Sequence, residues 1–573
     1  MFSAGTFDLP QVAKKMLSSR AVVLLNSSLT AMDASTTVKN GYCSSKMNGN
    51  PTKMVANSSA AQNVSPKLGA RREEGSRILS LLKFLWFVIV CFLSYVLLFT
   101  SVLPLVPLIV VYYSLKVIER YLVYWTSGDL HLSGLDALWQ QKSDVNRLAI
   151  TGFYCAENKT DFEKALRDFR QAVLDRMVNA KKSDGTLLYP RARCCIRPGY
   201  FQYFFQEDRS FRIENHVFKW DGEVPSSREE LEGIVSKLSN EPFKEGVSPW
   251  YFCCVPTNYG DKDFTAVFRM SHSVADGVSL TRFLMNKLPD QSKNEKETKK
   301  FTSSTSKVPL MAKAILRMAY SMLRLVFGFP DQSILHGPKV SGIKKVTWNE
   351  EFDFKLIKQI KAATGTTVND VLMSCLSRAI RRCFQRKGVE NPPDFKATIP
   401  VDVRLSAPKK EPSFENMFSL VFLRLAVGTE GVLNQLQETK ARMDECKYSG
   451  EPLATACVMM LSNEFFPEFM IKRINTVITE KSSCVLSNVP GPQHTLSVAG
   501  RPIKYTTFWP PQRDNIGIGL SIYTYAGRVI IGVQSDVSVL PDPQIITEEF
   551  GNALKEMTQS VLHDDVVNGN VIH

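Results

Sequence analysis

The sharpest chemical feature of the sequence is a histidine followed four residues later by an aspartate and then a glycine: His272-Ser273-Val274-Ala275-Asp276-Gly277. An imidazole with an unperturbed pKa near ~6.5 is largely neutral at pH 7 and can take a proton from a hydroxyl, which makes His272 a candidate general base. Asp276 is spaced to turn back toward the backbone or an arginine and brace the corner, and Gly277 permits a tight turn. Only seven histidines occur in 573 residues, so histidine chemistry has few other addresses. The twelve cysteines are dispersed, and the adjacent pairs Cys194-Cys195 and Cys253-Cys254 lack the two-residue gap of a zinc knuckle or redox motif. They read as reduced, buried thiols, and no metal site is expected.

The residues before His272 predict what holds it. Phe264, Ala266, Phe268 and Met270 alternate with Thr265, Val267 and Arg269, the pattern of a strand that ends at His272. Ser279 to Leu288 then predicts a helix with Leu280, Phe283, Leu284 and Leu288 on one face. A strand that ends in a turn and a helix is where an α/β protein displays functional side chains. Helical spacing recurs in Asp161 to Val178 and in Arg228 to Leu238, and a strand pattern in Phe201 to Phe205.

A chain of this length with 44% hydrophobic residues exceeds one ordinary domain. Residues 1–77, rich in Ser, Ala, Asn and Thr, are expected to be disordered. Asp8 and the short apolar run at Val22-Val23-Leu24-Leu25 argue against a cleaved targeting peptide there. From Phe84 to Leu115 no charged residue occurs, a run well beyond the ~18 that marks a transmembrane helix, so 78–120 reads as a membrane span or hairpin interrupted at Pro104 and Pro107. Lys67, Arg71, Arg72, Arg77 and Lys83 precede the run and Lys116 and Arg120 follow it. A single span would hold the amino terminus in the cytosol and carry the rest into a lumen. Reduced thiols fit poorly there, and a hairpin that returns both flanks to the cytosolic face is the preferred reading.

Beyond the anchor, 121–300 and 346–573 are each of domain size, joined by 301–345. The polar stretch Gln291 to Ser306 reads as a linker. After it, Leu310 to Phe327 spaces Lys313, Arg317 and Arg324 among apolar residues, an amphipathic helix that lies on a membrane surface or packs on its own domain. The net charge of +14 suits an anionic surface or substrate. Nucleic acid is disfavoured, since no aromatic and basic recognition module occurs.

With these residues in view, the sequence over roughly 130–560 resembles the wax ester synthase/diacylglycerol acyltransferase family of the CoA-dependent acyltransferases. Ser271-His272-Ser273-Val274-Ala275-Asp276-Gly277 occupies the family's His-His-x-x-x-Asp-Gly motif, with Ser271 in place of the first histidine and His272 at the second, the catalytic one by family analogy. Leu132 to Trp139 is similar to the opening motif of the family's catalytic body, and Ser248-Pro249-Trp250 loosely to a Pro-Leu-Trp element. Gly365 to Leu372 resembles the Thr-Val-Asn-Asp-Val segment. Ile399 to Arg404, Glu415-Asn416-Met417-Phe418, Ser487 to Pro492 and Ser521 to Arg528 follow in family order.

The resemblance implies an α/β fold of two chloramphenicol-acetyltransferase-like mixed-sheet domains with a central channel, plus the N-terminal membrane anchor. It implies transfer of a long-chain acyl group from acyl-CoA to a fatty alcohol and/or a diacylglycerol, His272 acting as base and acyl-CoA entering as a substrate, with no cofactor. Asp276 either holds its loop, through Arg404 or Arg282, or polarises His272. Asn369 and Asp370 either serve the site, Asn369 as a donor near the reacting carbonyl, or occupy the first turn of a helix from Val368 to Ile380. Trp250 reads as a core or channel wall. Lipid substrates suit an enzyme on a bilayer, at the endoplasmic reticulum or a lipid droplet, with its catalytic body in the cytosol. The Asp-Phe-Gly-Trp-Gly motif of the plant-type branch does not occur. Ser271 leaves one alternative from another class, a catalytically silent, membrane-tethered lipid-binding or scaffold protein of the same fold. A CoA acyltransferase with a different acceptor is the other.

Overall fold

The computed structural model describes residues 67–141, 145–257, 263–290, 307–336, 338–349, 351–404 and 413–567. The disorder expected for 1–66 and the linker at Gln291 to Ser306 lie outside these residues. The chain divides into two units after Ser76. In the first, residues 67–76 are helical, where disorder was expected, as the opening turns of the helix Lys67–Val102.

That helix passes through a 3-10 turn at Leu103–Leu105 into a second helix, Val106–Ser127, which stops at Gly128 with φ 75°. The backbone stays right-handed at Val102 (φ −89°, ψ −30°) and at Val106 (φ −53°, ψ −45°). The segment therefore continues without doubling back, and the preferred hairpin does not form. Pro104 and Pro107 each fall in the first turn of a new helical stretch, where a missing N–H costs nothing. By length and composition, Leu81–Ser127 could cross a membrane.

The second unit is built on two mixed sheets. The first has six strands in the order Ser497–Val498, Arg501–Trp509, Ala149–Glu157, Asp263–Ser271, Trp250–Pro256 and Val217–Lys219. The second runs Phe418–Leu425, Phe395–Asp402, Cys484–Pro490, Ile518–Tyr525, Arg528–Asp536 and Lys344–Trp348, with Phe352–Asp353 also pairing to Arg528–Asp536. Three short strands, Leu130–His131, Tyr203–Glu207 and Cys194–Pro198, form a separate small sheet.

The strand pairing departs from the expected domains in two places. Arg501–Trp509 leaves the C-terminal half and pairs antiparallel with Ala149–Glu157, Trp509 opposite Thr151. The boundary expected at 345/346 cuts through Lys344–Trp348, which pairs with Arg528–Asp536. Alternation shows that a strand has two faces to bury, but it does not say which neighbour it meets.

The central strand Asp263–Ser271 is buried on both faces. Phe264, Ala266, Phe268 and Met270 enter one core cluster, and Val267 joins Phe153, Trp348 and Trp509 in another. The same alternation separates the adjacent thiols, Cys253 facing the second cluster and Cys254 the first. The eleven cysteines among the described residues are all free thiols. In the C-terminal half, the helices Val368–Arg386 and Gln544–Val567 cover the inner residues Leu486, Ile518, Leu520 and Ile531 of the second sheet.

Candidate active site

His272 stands one residue past the end of Asp263–Ser271. Its N–H donates to the carbonyl of Leu148 (3.1 Å), the residue just before the partner strand. Leu148 has φ 49°, a left-handed conformation uncommon for a side-chain-bearing residue. Backbone strain of this kind tends to gather at functional sites. Four residues on, Asp276 caps the helix Gly277–Asn286, its Oδ1 accepting the N–H of Ser279 at 2.8 Å. Its Oδ2 accepts from the N–H of Met417 (2.8 Å) and from Arg404 Nη2 (2.8 Å). Of the two arginines foreseen as partners, Arg404 is the one in contact; Arg282 instead lies 3.5 Å from Asp402. Arg404 also reaches Asp402, Glu415 and Ser279 Oγ, so this knot ties the motif loop to the segment before Phe418.

The imidazole is fixed from three sides. Nδ1 lies 3.0 Å from Oδ1 of Asn416. The Asn416 amide nitrogen meets only acceptors, Asp136 Oδ1 (2.8 Å) and the His272 carbonyl (2.8 Å). It must be the donating end, which leaves Oδ1 able only to accept. His272 therefore carries its proton on Nδ1 and keeps a lone pair on Nε2. Trp139 stacks on the ring at 3.9 Å and 27°, and Phe418 meets it edge-on at 5.5 Å. This burial pulls the pKa of His272 down to about 4, against the opposing pull of Asp276 and Asn416.

Asp136, fully buried, receives both Nη atoms of Arg191 (2.9 and 2.8 Å) and closes a capping box with Ser133. A paired charge of this geometry is a rigid mount for Asn416.

His272, Trp139, Asp276, Gly277 and Phe418 line a cavity of about 1520 Å³ whose other walls include Leu420, Met459 and Val489. Gly277 is not in the left-handed region, so a tight turn is not its reason for being glycine. A Cβ there would meet nothing within 4 Å, and the open space is the cavity. Three expected site residues stand apart. Trp250 is buried, its Nε1 donating to the Ala192 carbonyl (2.8 Å) and its ring stacked on His216 at 4.4 Å. Asp370 is fully buried and closes a capping box with Thr367 at the start of Val368–Arg386. Asn369 is exposed and accepts from Nδ2 of Asn488 (3.2 Å), the residue that does line the cavity. Their polar types are accounted for by helix initiation and by packing.

Four residues that touch or mount His272 were not singled out from the sequence: Trp139, Asn416, Asp136 and Arg191. Asp136 and Asn416 did leave a signal, since they lie in Leu132 to Trp139 and in Glu415-Asn416-Met417-Phe418, two of the segments that carry the family resemblance. Arg191 left none.

A neutral imidazole with one orientation, its free nitrogen in a large cavity and a largely apolar wall around it, can deprotonate a hydroxyl brought there on a lipid-like molecule. Residues 132–331 match the wax ester synthase/diacylglycerol acyltransferase catalytic domain, and 414–558 the WS/DGAT C-terminal domain. Wax ester synthase/diacylglycerol acyltransferase 11 of Arabidopsis thaliana is 25% identical over 412 residues, covering 61% of this chain and 82% of that protein. A probable diacylglycerol O-acyltransferase of Mycobacterium tuberculosis is 21% identical over 443 residues, 72% of this chain and 92% of its own. The solved wax ester synthase/diacylglycerol acyltransferase of Marinobacter aquaeolei VT8 superposes with a TM-score of 0.55 at 16% identity, over 75% of this chain and 99% of that one. A trichothecene 15-O-acetyltransferase from Fusarium sporotrichioides shares the fold at a TM-score of 0.50 and 10% identity, over 75% and 95%.

Proposed function

This chain belongs to the wax ester synthase/diacylglycerol acyltransferase family and is an acyltransferase, and from that premise we propose that it moves a long-chain acyl group from acyl-CoA to the hydroxyl of a fatty alcohol and/or a diacylglycerol, with His272 as general base. The observation that carries this reading is the hydrogen-bond pattern around one ring: with the Nδ1 proton committed to Asn416, Nε2 is the nitrogen left to accept a proton.

The alcohol and the thioester meet beside His272. The hydroxyl proton passes to Nε2 as the oxygen attacks the thioester carbonyl carbon, giving a tetrahedral oxyanion and an imidazolium. The C–O double bond re-forms, the C–S bond breaks, and the departing thiolate takes the proton from Nε2. The imidazole is neutral again, and the products are an ester and free CoA. Asp276 and Arg404 hold the loop that carries the base. Asn369 supports the site indirectly by fixing Asn488 in the cavity wall. Leu420, Phe422 and Met459 suit long acyl chains.

The apolar helix Leu81–Ser127 attaches the enzyme to a bilayer, at the endoplasmic reticulum or a lipid droplet, with the catalytic body in the cytosol, where free thiols persist.

Membranes containing the wild type or His272→Ala, given labelled acyl-CoA with a panel of alcohols and diacylglycerol, test the reading. Ester formation is expected to fall by ~10²–10⁴ in the variant. Equal activity in the two would remove His272 from the chemistry.

A further inference from the structure

Building on the reading that this enzyme works on a bilayer, we propose that the helix Leu81–Ser127 does not cross the membrane but lies along the lipid side of the catalytic body, which rests on a single leaflet. Both ends of the uncharged run Phe84–Leu115 are held by the same body. Near its start, Phe87 packs edge-on against Tyr320 (6.3 Å) under the guanidinium of Arg317 (4.8 Å), and the Tyr95 hydroxyl donates to the Ile315 carbonyl. At its far end, Tyr113 packs on Phe465 (5.0 Å), Lys116 Nζ donates to the Glu464 carbonyl (2.8 Å), and Arg120 pairs with the Glu464 carboxylate (2.6 Å).

The two helices that supply these contacts, Lys307–Phe327 and Glu451–Phe465, are themselves joined. Arg317 donates to the Ser449 carbonyl (3.0 Å), and Arg324 lies 3.6 Å from Glu451. At 1.5 Å per residue, Phe87 and Arg120 stand about 50 Å apart along a straight helix, against a hydrocarbon core of ~30 Å. A crossing helix would need one folded body on both sides of the membrane, or would draw Arg317, Arg324 and Glu451 into hydrocarbon, which is strongly disfavoured. Lying flat satisfies every contact.

The free side of the helix is apolar: Phe92 and Phe99 are each 65% exposed and Leu108 68%. Ile315 and Leu461 extend exposed apolar surface onto the two supporting helices. The occupant that fits is lipid with anionic headgroups. A protein partner would be met by a rim that includes charged residues, and the run from Phe84 to Leu115 carries none, while the sequence from Lys67 to Lys83 holds five basic residues against two acidic ones, a composition that suits anionic headgroups. Glu451–Phe465 also supplies Thr455 and Met459 to the cavity wall, so one helix separates the lipid from the reacting groups.

The test uses the full-length protein with phosphatidylcholine/phosphatidylserine vesicles and with sealed microsomes. Wild type is expected to float with the vesicles, and the triple variant Phe92→Asp, Phe99→Asp, Leu108→Asp to remain below while still esterifying an alcohol in detergent. In microsomes, Lys83→Cys and Ser127→Cys are each expected to gain a mass tag from a membrane-impermeant maleimide added outside, compared with the native cysteines alone. Protection of one of the two positions means that the helix crosses, and overturns this inference while leaving membrane attachment intact. Flotation of the triple variant like wild type overturns the lipid-facing assignment. A wild type that does not float overturns membrane attachment as well.

Discussion

Replacing Asn416 by leucine takes away the acceptor for the Nδ1 proton of His272 while changing no residue that lines the cavity. The expected result is a fall in kcat of ~10²-fold or more with KM nearly unchanged, because an imidazole free to adopt the other tautomer loses its basic nitrogen toward substrate. Asn416→Asp keeps an acceptor but adds a carboxylate, which raises the imidazole pKa, so the acidic limb of kcat/KM should move to higher pH. In the wild type that limb is expected near pH 4 rather than 6.5, measurable as kcat/KM against pH in the free enzyme. Stability follows the same sign. Above pH ~6.5 the ring is neutral whether folded or unfolded; between there and about pH 4 the unfolded ring binds a proton first, so the folded state loses stability as the pH falls through this window. His272, Asp276 and Gly277 were legible because they sit in one contiguous motif. Their pairing with Asn416 and Asp136 was not, since Asn416 lies 144 residues from His272 and 280 from Asp136 in the chain and the three meet only once both sheets have packed.

The helix Gly277–Asn286 depends on its first residues more than on its length. Asp276→Ala would remove the cap on Ser279 and leave the Arg404 guanidinium, 7% exposed, short of its closest carboxylate. A loss of roughly 2–4 kcal/mol in chemical denaturation is expected, with Asp276→Asn recovering the cap but not the ion pair. Gly277→Leu tests the other property of this corner. The side chain would enter the cavity without meeting the backbone, so the melting temperature should hold while esterification of bulky acceptors falls more than that of short ones. The helices Phe162–Val173, Arg228–Asn240 and Lys307–Phe327 lie where their apolar spacing put them. Pro104 and Pro107 marked from the sequence where the long apolar segment is interrupted, but proline near a helix start is compatible with both a turn and a continuation, and the right-handed backbone at Val102 and Val106 decides for the continuation.

The two halves of the catalytic body are not separable pieces. Without Arg501–Trp509, the strand Ala149–Glu157 becomes an open edge of the first sheet, and Trp509 leaves a hole beside Phe153 and Trp348. Residues 121–300 expressed alone are therefore expected to be insoluble, and co-expression with 301–573 to restore a soluble complex that co-purifies; cooperative folding of 121–300 by itself would contradict the strand exchange. The α/β pattern and the division into two halves were readable from periodicity, and the two mixed-sheet domains were implied by the family resemblance, whereas the exchange was not readable, because the alternation of Arg501–Trp509 does not say which sheet it joins.

The same strand also sets a timetable for synthesis. A ribosome delivers the chain from its amino end, so the motif histidine and the strand behind it emerge long before the residues ending at Trp509 that complete their sheet. Through that interval the nascent chain presents a sticky, half-built surface. Holdase chaperones, or a pause in elongation, would matter more here than for a protein whose halves close one after the other.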